Sequence, residues 1–130
     1  NDLVPGGSLE VPEGDKIIPT INRLMDLDFD LIVASMDWHP ANHGSFAKTH
    51  SKIIGEHVCL EGIDQVLWPV HCVQHTRGAE FVSSFHKEKV QEIIYKGTDP
   101  NIDSYSTFYD NRQLRSTGLE ELLRKRNIKE

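Results

Sequence analysis

The run Phe29-Asp30-Leu31-Ile32-Val33-Ala34-Ser35-Met36 is mostly apolar and does not alternate. A strand with one wet face shows an apolar residue at every second position, and eight residues are short for a helix, so a strand covered on both faces is the reading that remains. Strands of that kind belong to parallel sheets, which need crossover connections. Upstream, Ile17, Ile18, Ile21, Leu24 and Met25 recur on one helical face, with Asp15 placed to cap and Pro19 in the first turn, which predicts a helix over about 16 to 28. Helix followed by buried strand gives the α/β class, a Rossmann-like, mainly parallel sheet between helices.

The rest of the chain fits that class unevenly. The opening fifteen residues, with two Pro and three Gly, read as a loop. From Trp38 to Phe81 no periodicity is apparent, and an irregular stretch of that length in a compact domain is usually functional. A second short strand is expected at Glu92 to Tyr95, halted by Gly97. Thr117 and Glu120 have the spacing of a capping box for a helix of about 118 to 127, and the closing "RNIKE" reads as a turn into a further strand. At 130 residues the chain is one domain or, as its abrupt start suggests, part of one.

Composition removes some functions. The net charge is −6, and the one basic cluster, Arg124-Lys125-Arg126, follows Glu120 and Glu121 as helix-end charges do, so nucleic acid is not an expected partner. No segment approaches the roughly 20 apolar residues of a membrane span. Two cysteines, Cys59 and Cys72, without a signal peptide in view, fit reduced thiols and a cytoplasmic protein.

In open α/β sheets ligands bind beyond the carboxyl ends of the strands. Asp37 and His39 follow one expected strand and Lys96 ends the other, so all three face the same edge. In extended backbone, positions two apart point the same way, so Asp37 and His39 can share an ion while Trp38 faces away. A third imidazole is needed, with His71 of "WPVHCV" the best placed, and carboxylate plus imidazole suits Zn²⁺, Mn²⁺ or Fe²⁺. By spacing alone, two solvated polar residues at a strand end are the commoner outcome. His43 is a further direct or water-mediated candidate, whereas His50, His57, His75 and His86 have no partner pattern. For Lys96 simple exposure competes with a role supporting a nucleophile or a developing negative charge. Nothing marks Cys72 or Cys59 as reactive.

Five ordered segments, "ND-L-x-PGGSL-x-VPEGD", "DWHPANHGSF", "LWPVHCVQ-x-T-x-GAEF", "KGTDP-x-IDSYS-x-FYDN" and "STGLEELLR", together resemble the nicotinamidase/pyrazinamidase branch of the isochorismatase-like cysteine hydrolases. The resemblance runs in order over essentially all 130 residues. It implies an amidase converting nicotinamide, and pyrazinamide, to the acid and ammonia in NAD salvage, through a cysteine thioester. It implies one divalent ion on Asp37, His39 and His71, a catalytic Lys96, and a substrate pocket walled by Trp68, Tyr105 and Leu3. Leu3 and Val4 stand where the family usually has Phe and Cys, and His75 where it has Gly. The family's catalytic Asp precedes the segment matching Asn1-Asp2 and its nucleophilic Cys follows the "RNI" segment, so neither Asp2 nor Cys72 corresponds to them. The 130 residues thus read as the central portion of such an enzyme, inactive alone, whose full-length form is expected to be a homo-oligomer. The alternatives are a non-catalytic metal-binding fragment or piece of a split enzyme, and a related hydrolase acting on isochorismate or another small amide.

Overall fold

The computed structural model describes residues 1 to 128; the last two positions of "RNIKE" lie outside it. The two expected strands form and pair. Strand β1 (Val33–Asp37) lies parallel to β4 (Glu92–Lys96), in register from Val33 opposite Glu92 to Asp37 opposite Lys96. This parallel pair, with helices α1 (Ile18–Leu24) and α2 (Leu119–Lys125), is the α/β arrangement read from the sequence. Strand β1 starts at Val33 rather than Phe29: Asp28 and Asp30 keep their neighbours in solvent, and Phe29 is exposed.

The segment that seemed irregular contains an antiparallel hairpin, β2 (His57–Leu60) with β3 (Ile63–Val66). Its two turn residues, Glu61 and Gly62, have φ of 50° and 84°, the paired left-handed conformation that matches the twist of a tight hairpin. Along it Val58, Leu60 and Ile63 turn inward while His57, Cys59 and Asp64 are exposed. That alternation was readable, but a Glu-Gly turn is a weaker signal than Asn-Gly.

Both helices are shorter than their sequence signals. The first opens as a 3₁₀ turn (Gly14–Ile17), and α1 carries Pro19 in its first turn without a side-chain cap, so Asp15 does not cap it. At α2 the N-cap is Gly118, which displaces Thr117 one position outward. Thr117 Oγ1 accepts the Leu119 N–H at 3.3 Å, while the Glu120 carboxylate accepts the Tyr109 hydroxyl at 2.7 Å and the Arg124 guanidinium. The capping box is therefore not closed.

The interior is partly polar. Phe46 and Leu67 are fully buried, and so are His43 and Ser45. The rings of His39, His43 and His71 stand 5.5, 5.5 and 5.4 Å from that of Phe46. Along β1 an apolar groove of about 600 Å³ runs past Leu3, Ile17, Ile21, Val33, Phe81 and Phe85 and reaches Asp37. Among the described residues, no helix is long and apolar enough to cross a membrane.

Phe46→Ala removes the ring on which three imidazoles rest, and a core Phe→Ala change costs about 3–5 kcal/mol. Urea unfolding of the metal-free chain should show a loss of that size. A loss near the ~1 kcal/mol of an average substitution would remove Phe46 from this role.

Candidate metal centre

The site is assembled by a change of partner along one extended segment. Strand β1 ends at Asp37, and the Trp38 N–H still donates to the Lys96 carbonyl at 2.9 Å. One residue on, the His39 N–H donates instead to the Cys72 carbonyl at 3.0 Å, and the Gln74 N–H returns to the His39 carbonyl at 2.8 Å. Further along, Trp68 N–H donates to the Ser45 carbonyl and Ala47 N–H to the Trp68 carbonyl, at 2.8 and 2.9 Å. The chain carrying His71 is thus stitched at both ends to the chain carrying Asp37 and His39.

Alternation holds at the site. Trp38 packs against His75 and Tyr95, with ring centres 5.2 and 5.0 Å away, while Asp37 and His39 line a cavity together with His71. The ligand atoms of Asp37, His39 and His71 all lie within 4.8 Å of one another. Each imidazole is already oriented: His39 Nδ1 bonds the Gly97 carbonyl and His71 Nδ1 the Pro69 carbonyl, both at 2.8 Å. With Nδ1–H donating there, each Nε2 keeps a free lone pair, the arrangement in which second partners fix metal-ligating histidines. One carboxylate and two such imidazoles fit a divalent ion of the zinc, manganese or iron kind.

Gly97 is required twice over. Its φ is +63°, and a Cβ there would stand 2.6 Å from His39 Nδ1. The residue that ends β4 therefore gives the His39 ring both its hydrogen-bond acceptor and its space.

Lys96 reaches Asp37 because the two are register partners; its ammonium pairs with Asp37 Oδ1 and donates to the Ser104 carbonyl at 3.0 Å. Its charge faces the site, and it is largely shielded from water. Trp68 Nε1 donates to the Tyr105 hydroxyl at 3.2 Å, and the buried Gln65 donates to the same oxygen at 2.9 Å. The cavity, about 170 Å³, is bordered by Leu9, Trp68, Lys96, Asp103 and Tyr105 besides the three ligands.

Leu3 is not on this cavity. It lies on the apolar groove, with its carbonyl accepting the Val11 N–H at 3.1 Å, whereas Leu9, whose N–H donates to the Asp2 carbonyl at 3.1 Å, is folded back to the cavity wall. The doubled glycine Gly6-Gly7 ahead of Leu9 was the sequence sign of that reversal. His43 does not join Asp37 and His71 but stands with His39 and Asp103. Asp103 and Gln65 were missed, because one acid in a turn-rich loop and one amide in an unrecognised strand carry no distinguishing pattern.

Neither cysteine lines the cavity. Burial, with Asp37 and Asp2 nearby, pushes the Cys72 thiol up to about 12, and its N–H is held by Asp2 Oδ2 at 2.8 Å. Cys59 is exposed on the hairpin. Asp2 is structural: it also donates its N–H to the Gly78 carbonyl at 3.0 Å.

Burial lowers the pKa of His39 and takes that of His43 from 6.5 down to about 4. The unfolded chain then binds more protons than the folded one between those values, so stability rises with pH across that window. In metal-free buffer the urea midpoint should fall as pH drops from about 6.5 towards about 4, and a flat midpoint would contradict the burial of these imidazoles. Separately, Gly97→Ala should weaken Zn²⁺ binding by about ten- to a hundredfold in competition with a chromophoric chelator. Wild-type affinity in that variant would show that the Gly97 contact does not position His39.

No family model matches the chain. Among curated proteins it is 42 % identical over 133 residues to the nicotinamidase of Escherichia coli, covering 100 % of this chain and 62 % of that protein. It is 36 % identical over 149 residues to the nicotinamidase of Saccharomyces cerevisiae, covering 100 % of this chain and 68 % of the yeast protein. Among solved structures it superposes on an Acinetobacter nicotinamidase/pyrazinamidase with TM-score 0.92 and 44 % identity, over 98 % of this chain and 61 % of that one. A pyrazinamidase of Pyrococcus horikoshii solved in complex with zinc matches with TM-score 0.69 and 40 % identity, over 97 % and 59 % of the two chains. The chain therefore spans about three fifths of the E. coli relative, and with its strand ends, paired histidines and yeast match in hand, it belongs to the nicotinamidase family.

Proposed function

We propose that the protein hydrolyses nicotinamide to nicotinate and ammonia, in NAD salvage, with pyrazinamide as an alternative substrate. The observation that carries this is the opening of the Asp37, His39 and His71 triad into a small cavity with Trp68 and Tyr105 on its wall. A cavity of about 170 Å³ admits one small ring. When bound, a divalent ion supplies Lewis-acid coordination suited to a pyridine nitrogen. The chain's own residues do the rest of the positioning: Trp68, braced through Tyr105 by Gln65, offers an aromatic face, and Leu9 lines the cavity. Lys96 holds a positive charge at the cavity wall, where it steadies Asp37 and favours negative charge developing on a bound amide. Attack on the carboxamide carbon needs a thiolate and a base, which the family resemblance places outside these 130 residues.

Neither Cys72 nor Cys59 lines the cavity, which favours a second reading for the isolated chain: a non-catalytic metal-binding fragment, or one piece of a split enzyme. The two readings separate in one assay. On material of verified intact mass, ammonia release from nicotinamide is measured with and without a chelator, and again in His71→Ala. Chelator-sensitive release that falls by about a hundredfold or more in the variant supports hydrolysis. Metal uptake without release, from material larger than 14.8 kDa, would overturn it. Uptake without release at 14.8 kDa is the second reading.

A further inference from the structure

Tyr105 is 60 % exposed, yet it is held at both ends. Its N–H donates to Asn111 Oδ1 at 2.9 Å, and two nitrogens approach its hydroxyl oxygen, Gln65 Nε2 at 2.9 Å and Trp68 Nε1 at 3.2 Å. Chemistry fixes the direction of both bonds. An indole N–H can only donate. The Gln65 nitrogen also stands 2.7 Å from the Val66 carbonyl oxygen, which can only accept, so that end of the amide is the NH₂ group and both its hydrogens are spent. Gln65 is 1 % exposed, and no solvent competes for that donor. The Tyr105 oxygen therefore accepts twice, and its own proton is excluded from Gln65 and Trp68 alike. Among the described residues no acceptor takes that proton.

We propose that Gln65 is a positioning residue that determines specificity: by keeping the Tyr105 hydroxyl as an acceptor, it turns the one remaining proton into a donor presented to a bound ring. A free phenol can rotate its proton to suit either a donor or an acceptor. The bonds from Gln65 and Trp68 remove that choice, and a donor oriented beforehand loses little freedom when a ligand arrives. Tyr105 and Trp68 both border the cavity. The wall they form therefore selects a small heteroaromatic ring that carries an oxygen acceptor, a carboxamide or carboxylate, over the bare ring. This deepens the small-ring reading proposed above and rests on it. It also gives the β2–β3 hairpin a role. Its register sets Gln65 opposite Val58, which turns inward, and a slip by one residue would bring Asp64 to that place, a carboxylate that accepts instead of donating.

The test uses the full chain loaded with Zn²⁺, with nicotinamide and pyridine as probes. Pyridine keeps the ring nitrogen and lacks the carboxamide. Dissociation constants from NMR titration should rise about tenfold for nicotinamide in Gln65→Met and in Tyr105→Phe, the effect of one hydrogen bond, and change by no more than about twofold for pyridine. The double variant should bind nicotinamide no worse than either single variant, because Gln65 acts only through the hydroxyl. Losses that add in the double variant, or that fall equally on both probes, overturn the proposal. Unchanged nicotinamide affinity in a folded Gln65→Met overturns it too and leaves the small-ring reading standing, whereas a wild type that binds neither probe overturns both. Where circular dichroism shows Gln65→Met unfolded, the side-chain amide resonance of Gln65 in the wild type decides. Nicotinamide should shift it and pyridine should not; a shift from both, or from neither, refutes the proposal.

Discussion

The parallel register of β1 on β4 is the constraint from which the rest of the centre follows. It sets Asp37 opposite Lys96 and leaves Gly97 to lie beneath the ring of His39. Because side chains in a strand alternate, a slip by one residue would bring Met36 or Trp38 to the carboxylate's place and turn the charged pair to the opposite face. The ladder then hands over: Trp38 is the last residue bonded to β4, and His39 the first bonded to the segment that carries His71. Three parts of the chain far apart in sequence meet at that exchange of partners.

Around it the core is built from imidazoles where an ordinary α/β domain would place aliphatic side chains. Packing His39, His43 and His71 against Phe46 sacrifices hydration of three polar rings. The same burial disfavours protonation of His39 and His43, and the unprotonated ring is the form that can ligate a metal. The cost in stability and the readiness to ligate have one cause.

The sequence revealed those parts of this arrangement that depend on short-range pattern. The two parallel strands showed as apolar runs, and Asp37 and His39 showed as same-facing positions just past a strand end. Lys96 was found because strand ends share an edge. His71 was singled out by its setting in "WPVHCV" and by the family resemblance, not by spacing, since its nearness to His39 is made by backbone bonds across 32 residues that no local pattern reports. Leu9 was hidden for the same reason: the fold of the Gly-rich opening brings it to the cavity, while Leu3 lines the adjoining groove that shares Asp37. The hairpin was passed over because its left-handed turn is made by Glu61 and Gly62 rather than a stronger turn pair.

The division of ligands between Asp37 and His39 on one side and His71 on the other has a thermodynamic consequence. The chain between them contains the whole β2–β3 hairpin, so an ion held at all three closes a loop much as a covalent bridge would. Unlike a covalent bridge, its strength is set from outside. At a free ion concentration a hundred times the dissociation constant the folded state gains about 2.7 kcal/mol, and the gain shrinks logarithmically as the ion is depleted. The persistence of the folded centre is therefore a function of how much cation its surroundings leave uncomplexed.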